Sequence, residues 1–426
     1  MKKMTIANAG VLDGTVMVSG AKNASLPILF GAVLTDDLCV IENIPRIRDT
    51  ALALEMLQAM GAGVRRLDLH TYEIDSRGVA PGRCPEEMIR QMRASVYLLG
   101  AELARFGHTH STLPGGCDFG NRPIDQHIKA MEALGARVTK TDTAIAAQAE
   151  QLRGAEMTFD VVSVGATVNA LLCAVLAQGR TVIHNASREP HIEDFAAFLN
   201  ACGARISGAG GESIVVDGVP RLHGTRYRVM PDMMEAGTYL IAAAAVGGCV
   251  RVEGVVCGHL SELVRVLRGC GAEVIEEPHA VTVCRGGPLQ PLQVSTEPYP
   301  GFPTDLHPQL AALLCLAEGE SRITETIWAN RFRYTEQLIR AGADIRIEGH
   351  TAVIRGVPRL HASRLTAVDL RAGAAAVIAA LLAEGESDIE GLEVIERGYE
   401  DIAGKLRSLG ATVTVTDLSP PAAPST

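Results

Sequence analysis

The sequence predicts an α/β protein of two similar domains, each built from three copies of one helix-and-strand unit. Three observations carry this. A helix ending in Gly-Ala recurs six times: Met60-Gly61-Ala62, Leu134-Gly135-Ala136, Cys202-Gly203-Ala204, Cys270-Gly271-Ala272, Ala341-Gly342-Ala343 and Leu409-Gly410-Ala411. The glycines stand 74, 68, 68, 71 and 68 residues apart, a near-constant period that marks internal repeats. Upstream of each lies a second helix rich in Ala and Leu and nearly free of charge. A chain of 426 residues is also too long for one ordinary core.

Each element of the unit has a local reason. A glycine just past a helix is the left-handed C-terminal cap. The upstream helices end before a glycine that opens a β-rich segment: Phe106-Gly107, Gln178-Gly179, Gly247-Gly248, Glu318-Gly319 and Glu384-Gly385, with Asp37 in that place in the first copy. An Ala/Leu helix without a polar face is buried all round. The downstream helix, such as Ile192 to Cys202, keeps a polar face and belongs outside. A unit therefore reads as buried helix, strand, amphipathic helix and one or two more strands. Three units surround one core, and Pro231 marks a crossing between domains.

Fourteen residues before each upstream ending lie Asn23, Arg93, Gly165, Met233 or Met234, Asp305 and Arg371. These positions mark the N-termini of the buried helices, where unsatisfied N–H groups and the helix dipole favour anions. Asp305 also admits the reading of a plain helix cap. Lys22, Arg93 and Arg371 oppose the dipole and make sense if anionic substrates collect there. Asn330-Arg331-Phe332 and Glu396-Arg397-Gly398 add arginines after strands of the fifth and sixth units. Leu113 to Pro123 places Cys117 among Gly115, Gly116 and Gly120, with Arg122 ahead of a proline. A thiol beside cations is activated, so this stretch reads as a loop closing over an anionic substrate; a glycine-rich surface turn with an incidental cysteine is the alternative.

A net charge of −10 argues against nucleic acid as a partner. Ten scattered cysteines without a C-x-x-C pair suggest reduced thiols, with no disulfide scaffold and no zinc. His108 and His110 fit an ordinary strand, and no metal or cofactor is expected. The start carries no apolar signal region. Val161 to Gly179 is uncharged, but Ser163, Thr167, Asn169 and Gln178 interrupt it, so it reads as a core helix and not a membrane span. The proline-rich tail, 419–426, is expected to be disordered.

Taken together, Ser19-Gly20-Ala21-Lys22-Asn23-Ala24, Met92-Arg93-Ala94-Ser95, Leu113 to Pro123, Ser163-Val164-Gly165-Ala166-Thr167, Phe302-Pro303-Thr304-Asp305, Asn330-Arg331-Phe332, Asp369-Leu370-Arg371-Ala372 and Arg397-Gly398-Tyr399 closely resemble the UDP-N-acetylglucosamine enolpyruvyl transferases (1-carboxyvinyltransferases). The resemblance runs from about Met4 to about Asp417. It implies a pair of inside-out α/β barrels with the active site between them, residues 22–230 forming one domain and 1–21 with 231–418 the other. It implies transfer of the enolpyruvyl group of phosphoenolpyruvate to the 3′-hydroxyl of the sugar, the committed step of peptidoglycan synthesis in the bacterial cytoplasm, without a metal and with no membrane partner.

Residue by residue, the resemblance makes Lys22, Asn23, Arg122, Arg331, Arg371 and Arg397 the phosphoenolpyruvate contacts. Asn23 also holds the tetrahedral intermediate. Asp305 becomes the base at the sugar hydroxyl. Cys117 becomes the proton donor, the site of a pyruvate adduct and the target of fosfomycin. Asp369 orients Arg371. The nucleotide sugar meets Arg93, Arg122, Pro123, Ile124, Asp125, Gln126, Val161, Val162, Ser163, Val164, Asp305 and Ile327. Some family members carry a lysine where Val161 stands and an arginine where Met233 stands, so diphosphate binding is expected to be weaker here or the acceptor altered. Within the same fold, the shikimate-pathway enzyme or a relative acting on another nucleotide are alternatives. A catalytically silent nucleotide-sugar binder is a third.

Overall fold

The computed structural model describes residues 2–8, 10–113, 115 and 123–417. Cys117, Arg122 and the tail at 419–426 lie outside the described residues. The chain divides into two compact units, Gly20–Met230 and Met1–Ser19 with Pro231–Thr426.

In the Gly20–Met230 unit three helices fill the interior: α1 (Lys22–Gly31), α2 (Tyr97–Phe106) and α3 (Val164–Ala174). α1 is buried from Ala24 and α3 from Ala166 to their ends, and α2 packs on both. In the other unit the same role falls to α4 (Met233–Val246), α5 (His307–Leu314) and α6 (Leu370–Leu382). All eight residues of α5 and all thirteen of α6 are buried, and the three helices pack on one another. Alanine at the contacts lets such helices approach closely at no cost in side-chain entropy.

One sheet plan recurs around these helices. The strand leaving a buried helix has a parallel strand on one side and two antiparallel strands on the other. Thus Leu38–Glu42 lies between Arg226–Arg228 and Tyr72–Asp75, with Gly63–Arg66 outermost. Arg180–His184 lies between Glu156–Thr158 and Ser213–Asp217, with Ile206–Ser207 outermost. Gly248–Glu253 follows the plan with Leu12–Met17, Ala280–Arg285 and Glu273–Glu277. Glu320–Thr324 follows it with Gln293–Ser295, Thr351–Arg355 and Asp344–Glu348. His108–Thr112 carries only the antiparallel side, Ala144–Gln148 and Arg137–Lys140, among the described residues. In the sixth sheet Glu386–Glu390 pairs with Arg364–Thr366, but its antiparallel neighbour is Lys2–Ala7, which in turn pairs with Val413–Asp417. Registers match like apolar residues: Ile183 faces Ile214 and Val182 faces Val215.

The six Gly-Ala glycines, Gly61, Gly135, Gly203, Gly271, Gly342 and Gly410, all have φ between 91° and 104°, the left-handed conformation the caps require. The first copy differs from the reading by one residue: Asp36 takes the left-handed position at φ 49°, while Asp37 accepts hydrogen bonds from the N–H groups of Leu38 and Gly224. Two helices start later than expected, because Arg93 and Asp305 sit in single 3₁₀ turns, Arg93–Val96 and Thr304–Leu306, that lead into α2 and α5. The Val161–Gly179 stretch is helical only over α3, capped by the Ser163 hydroxyl. No helix among the described residues is long and apolar enough to cross a membrane.

One expectation is overturned. Cys249 and Cys284 face each other in the Gly248–Glu253/Ala280–Arg285 ladder and form a disulfide. Residues far apart in sequence became opposite partners in a sheet, which cysteine spacing alone does not reveal.

The caps make a graded prediction. A methyl group at Gly135 would meet no heavy atom within 4 Å, whereas at Gly61 it would lie 2.4 Å from the Gly78 carbonyl oxygen. Gly135→Ala therefore carries only the backbone strain, about 1–3 kcal/mol, and Gly61→Ala adds a steric clash. Urea denaturation followed by circular dichroism is expected to give a lower midpoint for Gly61→Ala than for Gly135→Ala, with both below wild type.

Candidate active site

Sequence-predicted residues gather in both units. In the Gly20–Met230 unit Lys22 opens α1, and its ammonium lies 2.7 Å from Asp49, a buried carboxylate in the first turn of the helix Arg48–Ala59. Asp49 is favoured there by the dipole, and it holds the lysine that the dipole of α1 would repel. Asn23 is half-buried beside it. Arg93 is half-buried in the turn before α2 and lies close enough to His127 and Tyr97 to act on both electrostatically.

His127 sits in the helix Asp125–Ala133 and is 5% exposed. Its Nδ1 accepts a hydrogen bond from Asn169 of α3 at 2.7 Å, and Asn169 also accepts from the Gly100 N–H of α2. Burial, reinforced by Arg93, pushes the imidazole down to about 4, so it is neutral. The ring lies so close to Gly165 that a Cβ there would be 2.8 Å from it. That contact explains why a glycine stands in the first turn of α3.

Gln126 ties together the two stretches, 123–126 and 161–164, that the resemblance assigns to the nucleotide sugar. Its amide donates to Asp160 and Asp125, and its carbonyl accepts the Asp160 N–H at 3.0 Å. Val161 to Val164 follow directly, with Ser163 capping α3 and Val161 and Val162 59% and 39% exposed. Ile124 is buried and Pro123 exposed. A helix N-terminus bounded by a serine and lacking acidic side chains in its first turn suits an anion.

In the other unit Asp305 joins two arginines. Arg331 donates to Oδ1 at 2.9 Å, and Arg371 donates to Oδ2 through Nε at 3.0 Å and Nη2 at 2.9 Å. Both guanidiniums are almost fully buried, while the Asp305 side chain is 30% exposed. Burial opposes the charge on Arg371, but Asp305, Tyr399 and Asp232 outweigh it and hold it above the ordinary arginine value. Asp305 is therefore the hub of an ion-pair cluster and not a helix cap. Asp369 caps α6, accepting the backbone N–H groups of Arg371 and Ala372 at 2.9 Å. It fixes where the Arg371 backbone starts, while Asp305 and Tyr399 hold the guanidinium. Arg397 is half-buried after the short helix Leu392–Ile395. Ile327 is half-buried, and its N–H donates to Glu325 at 2.8 Å.

Sequence reading gave no role to Tyr399 or Asp49. The Tyr399 hydroxyl accepts from Arg371 Nη1 at 3.1 Å and from Gln309 at 3.2 Å, and lies 2.9 Å from the Thr238 hydroxyl, so it links α4, α5 and α6. Its place in Arg397-Gly398-Tyr399 was the available signal. Asp49 offered none, since it reads as an ordinary first-turn acid. No group of three or more His, Cys, Asp and Glu side chains suited to a metal occurs among the described residues.

The family described as EPSP synthase (3-phosphoshikimate 1-carboxyvinyltransferase) matches residues 6–406. The chain is 47% identical over 414 residues to the UDP-N-acetylglucosamine 1-carboxyvinyltransferase of Clostridium botulinum, covering 97% of this chain and 99% of that one. It is 42% identical, with the same coverage, to the enzyme of that name from Hydrogenovibrio crunogenus. Among solved structures, the enolpyruvyl transferase NikO from Streptomyces tendae is similar with a TM-score of 0.87 at 25% identity, covering 97% of this chain and 99% of that one. EPSP synthase from Acinetobacter baumannii shares the fold, with a TM-score of 0.75 at 20% identity over 98% of this chain and 100% of that one. On this full-length likeness the chain belongs to the enolpyruvyl transferases, an α/β family, and within them to the UDP-N-acetylglucosamine 1-carboxyvinyltransferases.

Proposed function

We propose that this protein transfers the enolpyruvyl group of phosphoenolpyruvate to the 3′-hydroxyl of UDP-N-acetylglucosamine with release of phosphate, the committed step of peptidoglycan synthesis, in the bacterial cytoplasm. The observation that carries this is the 47% identity over 97% of the chain to an enzyme named for that reaction. We also read the two units as inside-out α/β barrels of three repeats each, with limits at 22–230 and at 1–21 with 231–418. The recurring sheet plan and the three buried helices per unit support that reading.

The chemistry needs a proton delivered to C3 of the enol ether, attack of the sugar oxygen on C2 with loss of its proton, and then expulsion of phosphate as a C3 proton leaves. We assign the hydroxyl proton to Asp305, whose exposed carboxylate edge suits a base. Proton delivery to C3 is assigned to Cys117. Lys22, Arg122, Arg331, Arg371 and Arg397 are assigned to the phosphate and carboxylate of phosphoenolpyruvate, since guanidiniums pair with both in bidentate fashion. Asn23 is assigned to the tetrahedral intermediate. Arg331 and Arg371 already hold Asp305. An anionic substrate competes for those same donors, so binding phosphoenolpyruvate loosens the base it requires.

For the nucleotide sugar we assign Arg93, Pro123, Ile124, Asp125, Gln126, Val161, Val162, Ser163, Val164 and Ile327, with Arg122 and Asp305 shared. The Gln126–Asp160 exchange and the N-terminus of α3 support the diphosphate side of this assignment.

Two measurements test the reading. Phosphate release with both substrates is expected for the wild type. Asp305→Asn is expected to lower kcat about 100-fold or more, the scale of a positioned base, while nucleotide-sugar binding by calorimetry persists. Near-normal turnover removes Asp305 from that role.

The second concerns thiols. Burial pushes Cys84, Cys173, Cys270 and Cys315 up to about 12, and Cys39 and Cys202 are buried against each other. Burial also raises Cys257. The raised thiols are therefore poor nucleophiles, and Cys39, held down to about 7 by its hydrogen bond with Cys202, is shut away from solvent by full burial. Fosfomycin is expected to add one group, at Cys117, by peptide mass spectrometry, and Cys117→Asp is expected to block the adduct while keeping turnover. A label elsewhere overturns the assignment.

A further inference from the structure

The six repeats offer an internal comparison at the residue that follows the strand leaving each buried helix. In four copies that residue adopts a left-handed conformation: Asn43 at φ 61°, Asn185 at 54°, Gly254 at 74° and Gly391 at 80°. Asn43 and Asn185 use their side-chain amides to bond nearby carbonyl oxygens, those of Val229 and Phe159. These are residues a turn selects. Two copies depart from this: strand His108–Thr112 is followed by Leu113, an apolar residue without positive φ, and the fifth copy by an acid. Strand Glu320–Thr324 is followed by Glu325, whose φ is not positive and whose side chain has no exposure. The turn does not need an acid, as the four other copies show, and a buried carboxylate is costly unless every lone pair is met.

Here they are met. Oε1 accepts the backbone N–H groups of Ile327 at 2.8 Å and Trp328 at 3.0 Å. Oε2 accepts the Thr304 hydroxyl and His307 Nδ1, both at 2.9 Å. His307 is itself fully buried, and its Nε2 lies 2.8 Å from the Tyr334 hydroxyl. One proton arrangement satisfies the whole chain: Tyr334 donates to Nε2, and Nδ1–H donates to Glu325. Burial keeps the imidazole of His307 below its ordinary value, against the pull of Glu325, in agreement with a neutral ring carrying that single proton.

The partners of Glu325 are the neighbours of the assigned site residues. Thr304 precedes Asp305 in the same 3₁₀ turn. Ile327 is assigned to the nucleotide sugar. Tyr334 closes the turn Arg331–Tyr334 that begins with the arginine holding Asp305. We propose that Glu325, steadied by His307, is a positioning residue that fixes the Asp305 turn and the Ile327 peptide relative to each other, and so sets acceptor affinity and the placement of the base. This rests on the enolpyruvyl transfer reading and adds a residue outside the assigned contacts.

The test compares variants by steady-state kinetics and by calorimetric binding of UDP-N-acetylglucosamine. Glu325→Ala is expected to raise the acceptor KM and Kd about tenfold or more, the scale of losing several hydrogen bonds to a charged acceptor. The phosphoenolpyruvate KM is expected to stay within about threefold, since the four groups that bond Glu325 are the Ile327 and Trp328 peptides, the Thr304 hydroxyl and His307. Glu325→Gln keeps an oxygen for the two backbone N–H groups, and the His307 tautomer and the Thr304 hydroxyl can reverse to meet its amide, so acceptor affinity is expected to recover. Thr304→Val cuts only the link toward Asp305 and is expected to lower kcat while leaving the acceptor Kd unchanged.

Glu325→Ala with all constants within twofold of wild type overturns the proposal, as does a Thr304→Val variant with unchanged kcat. If Glu325→Ala does not fold by circular dichroism, Glu325→Gln and Thr304→Val decide. A wild type that binds the nucleotide sugar but releases no phosphate sinks the transfer reading while the Kd series still reports on Glu325. A wild type that does not bind it sinks both.

Discussion

A helix buried on every side concentrates all its polar demand at its ends. Five of the six Ala/Leu-rich helices carry no charge beyond their first turns, so those turns, together with the short 3₁₀ turns leading into two of the six, hold the charged side chains; α2 is the exception, with Glu102 buried within it and Arg105 in its last turn. Lys22, Arg93, Asp305 and Arg371 all stand there. Because lysine and arginine at such ends oppose the dipole, each has to be met by another group, and Asp49 does this for Lys22 as Asp305 does for Arg371. The chemistry and the architecture thus follow from one constraint. An interior that excludes charge collects it at helix starts, where anions are also favoured.

The cluster around Asp305 illustrates how that constraint is met. Two nearly dry guanidiniums without a carboxylate would be strongly destabilising. With Asp305 between them, both guanidiniums have a carboxylate partner. Tyr399 extends the arrangement inward, tying Arg371 to α4 and α5 through Thr238 and Gln309, so the guanidinium is fixed by all three buried helices of its unit.

The repeat was legible because its signal is local. Gly-Ala after a helix demands a left-handed residue, and all six glycines have one. Counting places the helix starts within a few residues, and Lys22, Asp305 and Arg371 found there are each tied into an ion pair. What stayed hidden was non-local. Glu325 reads in sequence as one more acid after a strand; only folding gathers Thr304, His307 and the Ile327 peptide around it. Cys249 and Cys284 look like scattered thiols until the ladder sets them opposite each other. Asp49 is unremarkable until Lys22 arrives 2.7 Å away. The roles of Cys117 and Arg122 rest on the sequence alone.

The sixth sheet bears on the order in which the polypeptide is made. Its inner antiparallel strand is Lys2–Ala7, lying between Glu386–Glu390 and Val413–Asp417. Lys2–Ala7 is therefore translated before the Gly20–Met230 unit, and both its partners after it. The Gly20–Met230 unit has all its described strands in hand long before then. Vectorial synthesis lets the inserted unit mature first, while Lys2–Ala7 waits, unpaired on both edges, for Glu386–Glu390 and Val413–Asp417 to be translated.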